Sequence, residues 1–366
     1  LAKEATMLLL QVIRQVGFLI SIAILISAAT PVFPASAPMS PAQLALYQGA
    51  DREKILIEGA KREGQLTFYN SHTWFKSVAQ EFEKKHPFVK VSEWRAEGAD
   101  VLKRVLEESR AGRHLADVVE STEANIAGLH KRELLQEHYS PELRFYDDQV
   151  LVKGKRGVYY WADRELYISL GFNTNVVSAA EAPKSLKDLL DPKWKGKMAV
   201  LGTTVFARWL GAVLDLMGRE FVEALSRQEI AIHRVSGAAL ATLMASGEVP
   251  LSPTMFDSNV FVVKRSGAPV EWRPIDPVVA NVGYSGIVTK APHPHAALLF
   301  IDYLHSKEGQ HFVVKGGLSS PRDDVDSLLP QKFKKTYLEA KYPLDEYEKK
   351  LEEWQDLIQK LFVRKK

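Results

Sequence analysis

Five short stretches carry side chains able to hold a small solute: Asn70-Ser71-His72-Thr73, Ser121-Thr122, Thr203-Thr204, Ser236-Gly237 and Thr254. Each closes a short apolar run and precedes a helical pattern. Hydroxyl and amide groups placed there can donate hydrogen bonds to an anion beside a helix N-terminus, where free backbone N–H groups already point outward. Ser, Thr and Asn are also the preferred helix N-caps, so capping alone explains any single one of them. Five in matching positions point instead to a shared cleft. Arg164, in the stretch YYWADRELYISLGFNTN (159–175), and Arg208, just inside the helical pattern after Thr203-Thr204, could grip a carboxylate or phosphate through paired hydrogen bonds. The competing readings are an ion pair of Arg164 with Asp163 or Glu165 and a solvated helix position for Arg208. Trp161 and Trp74 offer ring faces for stacking and suit a core equally well. Together with Trp161, the two arginines and the strand-end residues form the candidate ligand-binding set. Its expected ligand is a small organic or phosphorylated anion, with no metal and no cofactor.

Catalytic signatures are weak or missing. Gly283-Tyr284-Ser285-Gly286 falls short of the G-x-S-x-G nucleophile elbow. There is no H-E-x-x-H. His293 and His295 flank Pro294 at a helix start, where capping or solvent exposure is expected rather than zinc binding. No phosphate-binding P-loop or dinucleotide glycine fingerprint occurs. The chain has no cysteine, which removes disulfides, thiolate metal sites and a cysteine nucleophile. A non-enzymatic role is expected, with an exported hydrolase or transferase as the alternative, because a fold by itself does not decide chemistry.

The elements that would position these residues alternate. A chain of 366 residues leads to an expectation of two domains. Its 46% hydrophobic and 25% charged residues suit a packed core. A net charge of +3 with both signs interspersed gives no electrostatic footprint for nucleic acid. Strand patterns at Leu66–Asn70, Val89–Trp94 and Asp117–Glu120 alternate with helical ones, the mark of a largely parallel, helix-covered sheet. In the helix expected over Trp74–His86, Phe75, Val78, Ala79 and Phe82 fall on one face. Residues 159–175 are rich in aromatic and β-branched types and read as an extended crossing into a second α/β lobe. There, strands at Lys197–Leu201, Ala231–Val235 and Val249–Ser252 alternate with helices. Val270–Ile275 is expected to return to the first lobe. Further helices are expected over Pro41–Glu63, Gln331–Ala340 and Leu344–Phe362. The expected architecture is α/β and two-lobed, with a ligand cleft between the lobes and hinge strands crossing. Residues 38–165 plus 278–330 make lobe 1, 166–277 lobe 2 and 331–366 C-terminal helices.

The first 37 residues fall outside that fold. Lys3 and Arg14 precede the apolar run Val16–Ala29, and Ala35-Ser36-Ala37 fits a small-residue cleavage site, the layout of a secretory signal peptide. The run is shorter than the roughly 20 residues that span a bilayer. Export to the periplasm is expected, without lipidation because there is no cysteine.

Several phrases then resemble one family. Gln65–Asn70 with a helix ending Phe82-Glu83-Lys84-Lys85-His86-Pro87, then Gly171-Phe172-Asn173-Thr174-Asn175, the phrase DLLDPKWKGK (188–197) and APHPHAALLFIDYLHSKEGQ (291–310) are together similar to the ferric-iron-type branch of ABC-transporter solute-binding proteins. The resemblance implies a periplasmic-binding-protein fold of type II; a monomer is expected. The resemblance also implies hinge closure on a solute and delivery to an inner-membrane ABC permease. In the family's ferric members an adjacent tyrosine pair follows a strand of the second lobe. This chain has Met255-Phe256 there, and neither supplies a hard oxygen anion. Tyr159-Tyr160 is a pair, but it lies in the crossing stretch and reads as packing. His72 and Glu123 stand one residue away from where those members place a His and a Glu. Ferric-ion binding is therefore the second reading, after a small anion.

Overall fold

The computed structural model describes residues 39–202, 204–326, 329–330, 333–342 and 344–363. The expected signal peptide and Thr203 lie outside the described residues. Residues Pro41–Lys366 form one compact unit.

The chain opens with two helices, α1 (Pro41–Ala45) and α2 (Arg52–Glu63), where the sequence pattern suggested one. Gly64 ends α2 at φ 67°, a left-handed conformation that costs glycine no Cβ clash. There follow β1 (Gln65–Asn70), α3 (Phe75–Lys85), β2 (Lys90–Arg95), α4 (Gly98–Arg110), β3 (Val118–Thr122) and α5 (Glu123–His130). The expected stripe on α3 is buried, with Phe75 and Phe82 in a ring cluster completed by Phe68 and Phe300. An irregular stretch leads to the short β4 (Leu151–Lys153) and then to β5 (Val158–Asn173), sixteen residues long.

Beyond it lie β6 (Ala199–Leu201), α6 (Thr204–Ser226, interrupted at Gly218), β7 (Ala231–His233), α7 (Gly237–Ser246), β8 (Leu251–Phe256), α8 (Asp257–Arg265) and β9 (Val270–Arg273). The chain returns through β10 (Val278–Ile287) to α9 (Pro294–His305) and α10 (Lys307–Lys315). It ends with β11 (Lys335–Thr336), α11 (Leu338–Lys341) and α12 (Leu344–Leu361). The helix expected over Gln331–Ala340 is thus replaced by a two-residue strand and one helical turn.

One nine-stranded sheet runs β2-β1-β3-β10-β5-β4, with β11 beside β10 and both β8 and β9 beside β5. The β1–β2 and β1–β3 pairs are parallel, and the pairs made by β5 are antiparallel. The strand β5 serves both halves. Its first part pairs with β4 and β10; Leu170–Asn173 pair with β9 and Phe172 also with Leu251 of β8. This strand is the crossing expected from residues 159–175, and it reads as a continuous buried run because both of its faces are covered. The return strand is β10. The expected return over Val270–Ile275 is corrected: β9 stays in the second half, paired with the end of β5. The strand read at Val249–Ser252 is shifted to Leu251–Phe256.

Two main hydrophobic clusters flank the crossing. One gathers Tyr69, Val119, Ile126, Tyr160, Ala162 and Val278. The other gathers Ile168, Phe172, Trp209, Leu210 and Val213 with Trp354 and Ile358 of α12. None of the described helices is long and apolar enough to cross a membrane.

Candidate functional site

Parallel pairing brings the ends of β1 and β3 side by side, and β10 packs between β3 and β5. Gly283 of β10 therefore pairs with Thr122 on one side and Arg164 on the other. A Cβ on Gly283 would stand 2.6 Å from Arg164 Cζ, so the guanidinium lies across a strand only glycine can leave bare. Arg164 Nη2 donates to Glu120 Oε1 at 2.7 Å. The other oxygen of Glu120 accepts the Ser71 N–H at 2.7 Å and the Ser71 hydroxyl at 3.0 Å. Both members of the Arg164–Glu120 pair are buried. The neighbour pairings considered from the sequence are thus replaced by one from β3. Glu165 instead takes Lys335 and the hydroxyls of Tyr167 and Tyr337. Asp163 is fully buried, and burial followed by the Glu120 charge raises its carboxyl well above the usual range.

The turn after β1 holds His72 and Thr73. Burial first, then the cations Arg164 and Arg95, lowers the His72 imidazole to about 3. Its Nδ1 accepts the Trp74 N–H at 3.3 Å, so the neutral ring carries its proton on Nε2 and offers a donor there. Thr73 is exposed. Asn70 is fully buried; its amide donates to Glu93 at 2.8 Å, and its Oδ1 has no partner. Asn125 Nδ2 donates to Ser121 Oγ and to Thr122 Oγ1, both at 3.1 Å. Thr122 stands at the N-cap of α5 yet makes no side-chain cap bond, so capping does not account for it. Ser71, His72, Thr122 and Arg164 are therefore gathered around Glu120 and Gly283.

The second-half candidates divide. Ser236 caps α7, accepting the Ala239 N–H at 3.2 Å, which realises the capping reading. Thr204 is exposed at the first position of α6. Thr254 is corrected from strand end to strand interior: it is fully buried in β8 and accepts the Leu201 N–H at 3.0 Å. Arg208 is no solvated helix residue. It donates to Asn281 Oδ1 at 2.7 Å, to the Ala280 carbonyl at 3.1 Å and to the Glu339 carboxylate. Trp161 is corrected to core, fully buried, stacked on Tyr146 at 5.9 Å and edge-on to His305 at 4.3 Å. Trp74 stacks on Phe312 at 5.4 Å with its Nε1 buried and unpartnered.

Glu120, Asn125, Asn281 and Glu339, not singled out from the sequence, complete the arrangement together with Gly283, which the sequence offered only within a failed nucleophile-elbow pattern. Glu123, at the start of α5, accepts the Tyr160 hydroxyl at 2.9 Å, and its Oε2 is buried without a partner. Burial raises its carboxyl to about 7; the Tyr160 bond pulls it back and the Glu339 charge adds to the rise. A carboxyl raised in the folded state stabilises the fold fully below its unfolded value, and that contribution is lost as pH rises through about 7. Urea titrations of E123Q and wild type across this range should diverge, the wild type losing on the order of 1.4 kcal/mol per pH unit relative to the variant. Asp257, also raised to about 7 by burial, moves the same way in both proteins and cancels in the difference. His72 acts oppositely, its contribution being lost as pH falls from 6.5 toward 3, and cancels too.

The residues weighed for catalysis have structural surroundings. Ser285 is fully buried 3.5 Å from His305 Nε2, and His305 Nδ1 bonds the Ile301 carbonyl. His293 and His295 are tied to Asp117 at 2.9 Å and Glu63 at 2.6 Å, which corrects the expectation of capping or exposure. Among the described residues no three His, Asp or Glu are grouped to hold a metal ion. Tyr160 is buried with its hydroxyl held by Glu123, and burial raises it far above the phenol range. Met255 and Phe256 lie inside β8.

The family model for the bacterial extracellular solute-binding proteins matches residues 113–342. The chain belongs to that family. An uncharacterised protein of Haemophilus influenzae is 31% identical to this solute-binding protein over 163 residues, 40% of this chain. The match spans 46% of that curated relative's length. Iron-bound HitA from Pseudomonas aeruginosa shares the fold with a TM-score of 0.64 at 20% identity, covering 80% of this chain and 99% of that one. AfuA from Actinobacillus pleuropneumoniae, a periplasmic binding protein with exogenous fructose-6-phosphate bound, gives 0.62 at 22% identity, covering 83% and 100%. At these identities the likeness is one of fold: this solute-binding protein has the mixed α/β architecture of periplasmic binding proteins.

Proposed function

We propose that this solute-binding protein is exported to the periplasm by its N-terminal segment, captures a small solute by hinge closure and delivers it to an inner-membrane ABC permease. It acts as a monomer, with lobes divided as the sequence suggests, at residues 38–165 plus 278–330 and 166–277. It binds no nucleic acid and catalyses no reaction. The hinge is β5 with β10, because these strands carry the sheet from one half to the other. A ligand touching both halves favours the closed state by its extra contacts there.

The solute in this reading is a small organic or phosphorylated anion. The observation that carries it is the convergence of Arg164, the Ser71 turn, the His72 Nε2 donor and Thr122 beside the start of α5. All are donors or carry donors, and a helix N-terminus adds its own. A ferric ion is the weaker reading. HitA is an iron-bound protein of the same fold, and Tyr160 with Glu123 places two oxygens together here. Yet the phenol is held protonated, and Met255-Phe256 offers no oxygen ligand.

A thermal-shift screen of the mature protein with sugar phosphates, phosphonates, carboxylates, sugars, polyamines, thiamine and ferric salts tests the reading. A true solute at 100 times its dissociation constant stabilises by about 2.7 kcal/mol. Stabilisation by a phosphate or carboxylate solute is expected. A response to ferric salt alone, with iron found by elemental analysis, would replace the anion; turnover of a bound compound would replace transport.

A further inference from the structure

Arg208 lies on the second turn of α6 and reaches out of that helix to the strand β10 that joins the two halves. Its third partner, Glu339, comes from α11, far along the chain. That short segment is fixed from several sides. β11 pairs with β10, through Val278 with Lys335 and Val279 with Thr336. Lys335 and Tyr337 both bind the fully buried Glu165 of β5. Lys341 and Tyr342 both bind Asp215 of α6. The carboxylate of Glu339 is therefore delivered to Arg208 by a strap with anchors on either side of it, and not by a loose tail.

Two atoms at this meeting are unsatisfied. Glu339 Oε2 and Arg208 Nε are buried and have no hydrogen-bond partner. Buried ionised groups with idle hydrogen-bonding positions are costly to keep. The pair is thus incompletely matched, while the guanidinium could give a better-shaped anion two parallel bonds. Glu339 also adds negative charge beside Glu123, the carboxyl at the start of α5 across the crossing strands.

We propose that Glu339 is an internal counter-ion of Arg208 that sets the charge this end of the site accepts: a solute's anionic group enters by replacing it. The inference rests on the solute-binding reading and adds a residue to it. Arg164 has the same design in the first half, its charge met by Glu120. The two differ in the setting of the partner. Glu120 sits in a central strand, fully buried, whereas Glu339 lies on the four-residue helix α11, outside the strands of the sheet.

Inorganic phosphate is the probe, with the full chain and the variants E339Q and E339Q/R208Q. Calorimetric titration should show E339Q binding phosphate about tenfold more tightly than wild type, the equivalent of ~1.4 kcal/mol, and the double variant losing that gain. Carbon NMR of the Glu123 carboxyl should show its titration moving down in E339Q, a shift that a purely structural strap would not give. The groups facing Glu123 are Tyr160 on β5, Tyr284 on β10, Arg208 on α6, Tyr347 on α12 and Glu339, so the other four are kept in E339Q. Equal phosphate binding by E339Q and wild type, no binding by either, or a gain that survives R208Q overturns the proposal. Should E339Q fail to fold, hydrogen exchange on the wild type decides. Saturating phosphate should deprotect the amides of α11 and spare those of α12, and unchanged exchange rejects displacement. A solute screen without a response would sink the transport reading yet leave the E339Q comparison readable, because its probe is phosphate.

Discussion

R164A should lower the unfolding free energy by about 3–5 kcal/mol, the usual result of removing one partner from a buried ion pair. Glu120 would keep two bonds from Ser71 but lose the cation paired with it among the described residues, while staying fully buried itself. Urea unfolding of the single variants and of E120L/R164M checks the mechanism. The apolar double variant should recover most of the loss, because well-packed hydrophobic replacements of a buried pair are often neutral or better. A loss as large in the double variant as in R164A would show that the damage comes from something other than an orphaned carboxylate. The expectation also governs how binding data are read. Loss of solute binding in R164A reports on ligand contact only if the variant is shown to be folded at the temperature used.

W354A should cost about 3–5 kcal/mol, the range for emptying a buried aromatic position. Trp354 is 2% exposed and lies flat on Gly211 of α6, where a Cβ would come within 2.4 Å of its ring. Tyr342 and Tyr347 meet it edge-on at 6.1 and 6.2 Å. This ring anchors α12 to the second half, so hydrogen exchange should show α12 and α11 opening before β5. G211V should reproduce the effect from the other side by pushing the ring away. Uniform loss of protection across the sheet in W354A would mean that α12 belongs to the global core and not to a separable strap.

Much of the fold was legible because its signals are local. The helix α3 announces itself by Phe75, Val78, Ala79 and Phe82, and the crossing strand by an uninterrupted aromatic and β-branched run. The return strand was harder. Val270–Ile275 and Val278–Ile287 look alike in composition, and only tertiary pairing decides that the first stays beside β5 while the second enters between β3 and β5. In the site, Ser71, His72 and Thr122 could be placed from strand-end chemistry, and Ser236 as a cap. Glu120 could have been flagged by its position, a carboxylate closing an apolar strand buried on both faces. Trp161 and Thr254 were misplaced because aromatic and hydroxyl side chains serve a core and a cleft alike. Glu339 was out of reach, since its segment has weak helical periodicity and its partner lies on a distant helix.

The seat of β10 in the sheet has a consequence for assembly. The amino-terminal strands β1 and β3 cannot join β5 until residues near the carboxyl end of the chain have been made, because β10 fills the gap between them. Such non-local pairing slows folding, since loop closure must precede the contacts that reward it. In the proposed export, late completion of the central layer keeps the nascent chain open to secretion for as long as about its last quarter is missing. A nascent chain arrested before residue 278 should accordingly remain protease-sensitive along its whole length, and one extended past residue 287 should become resistant.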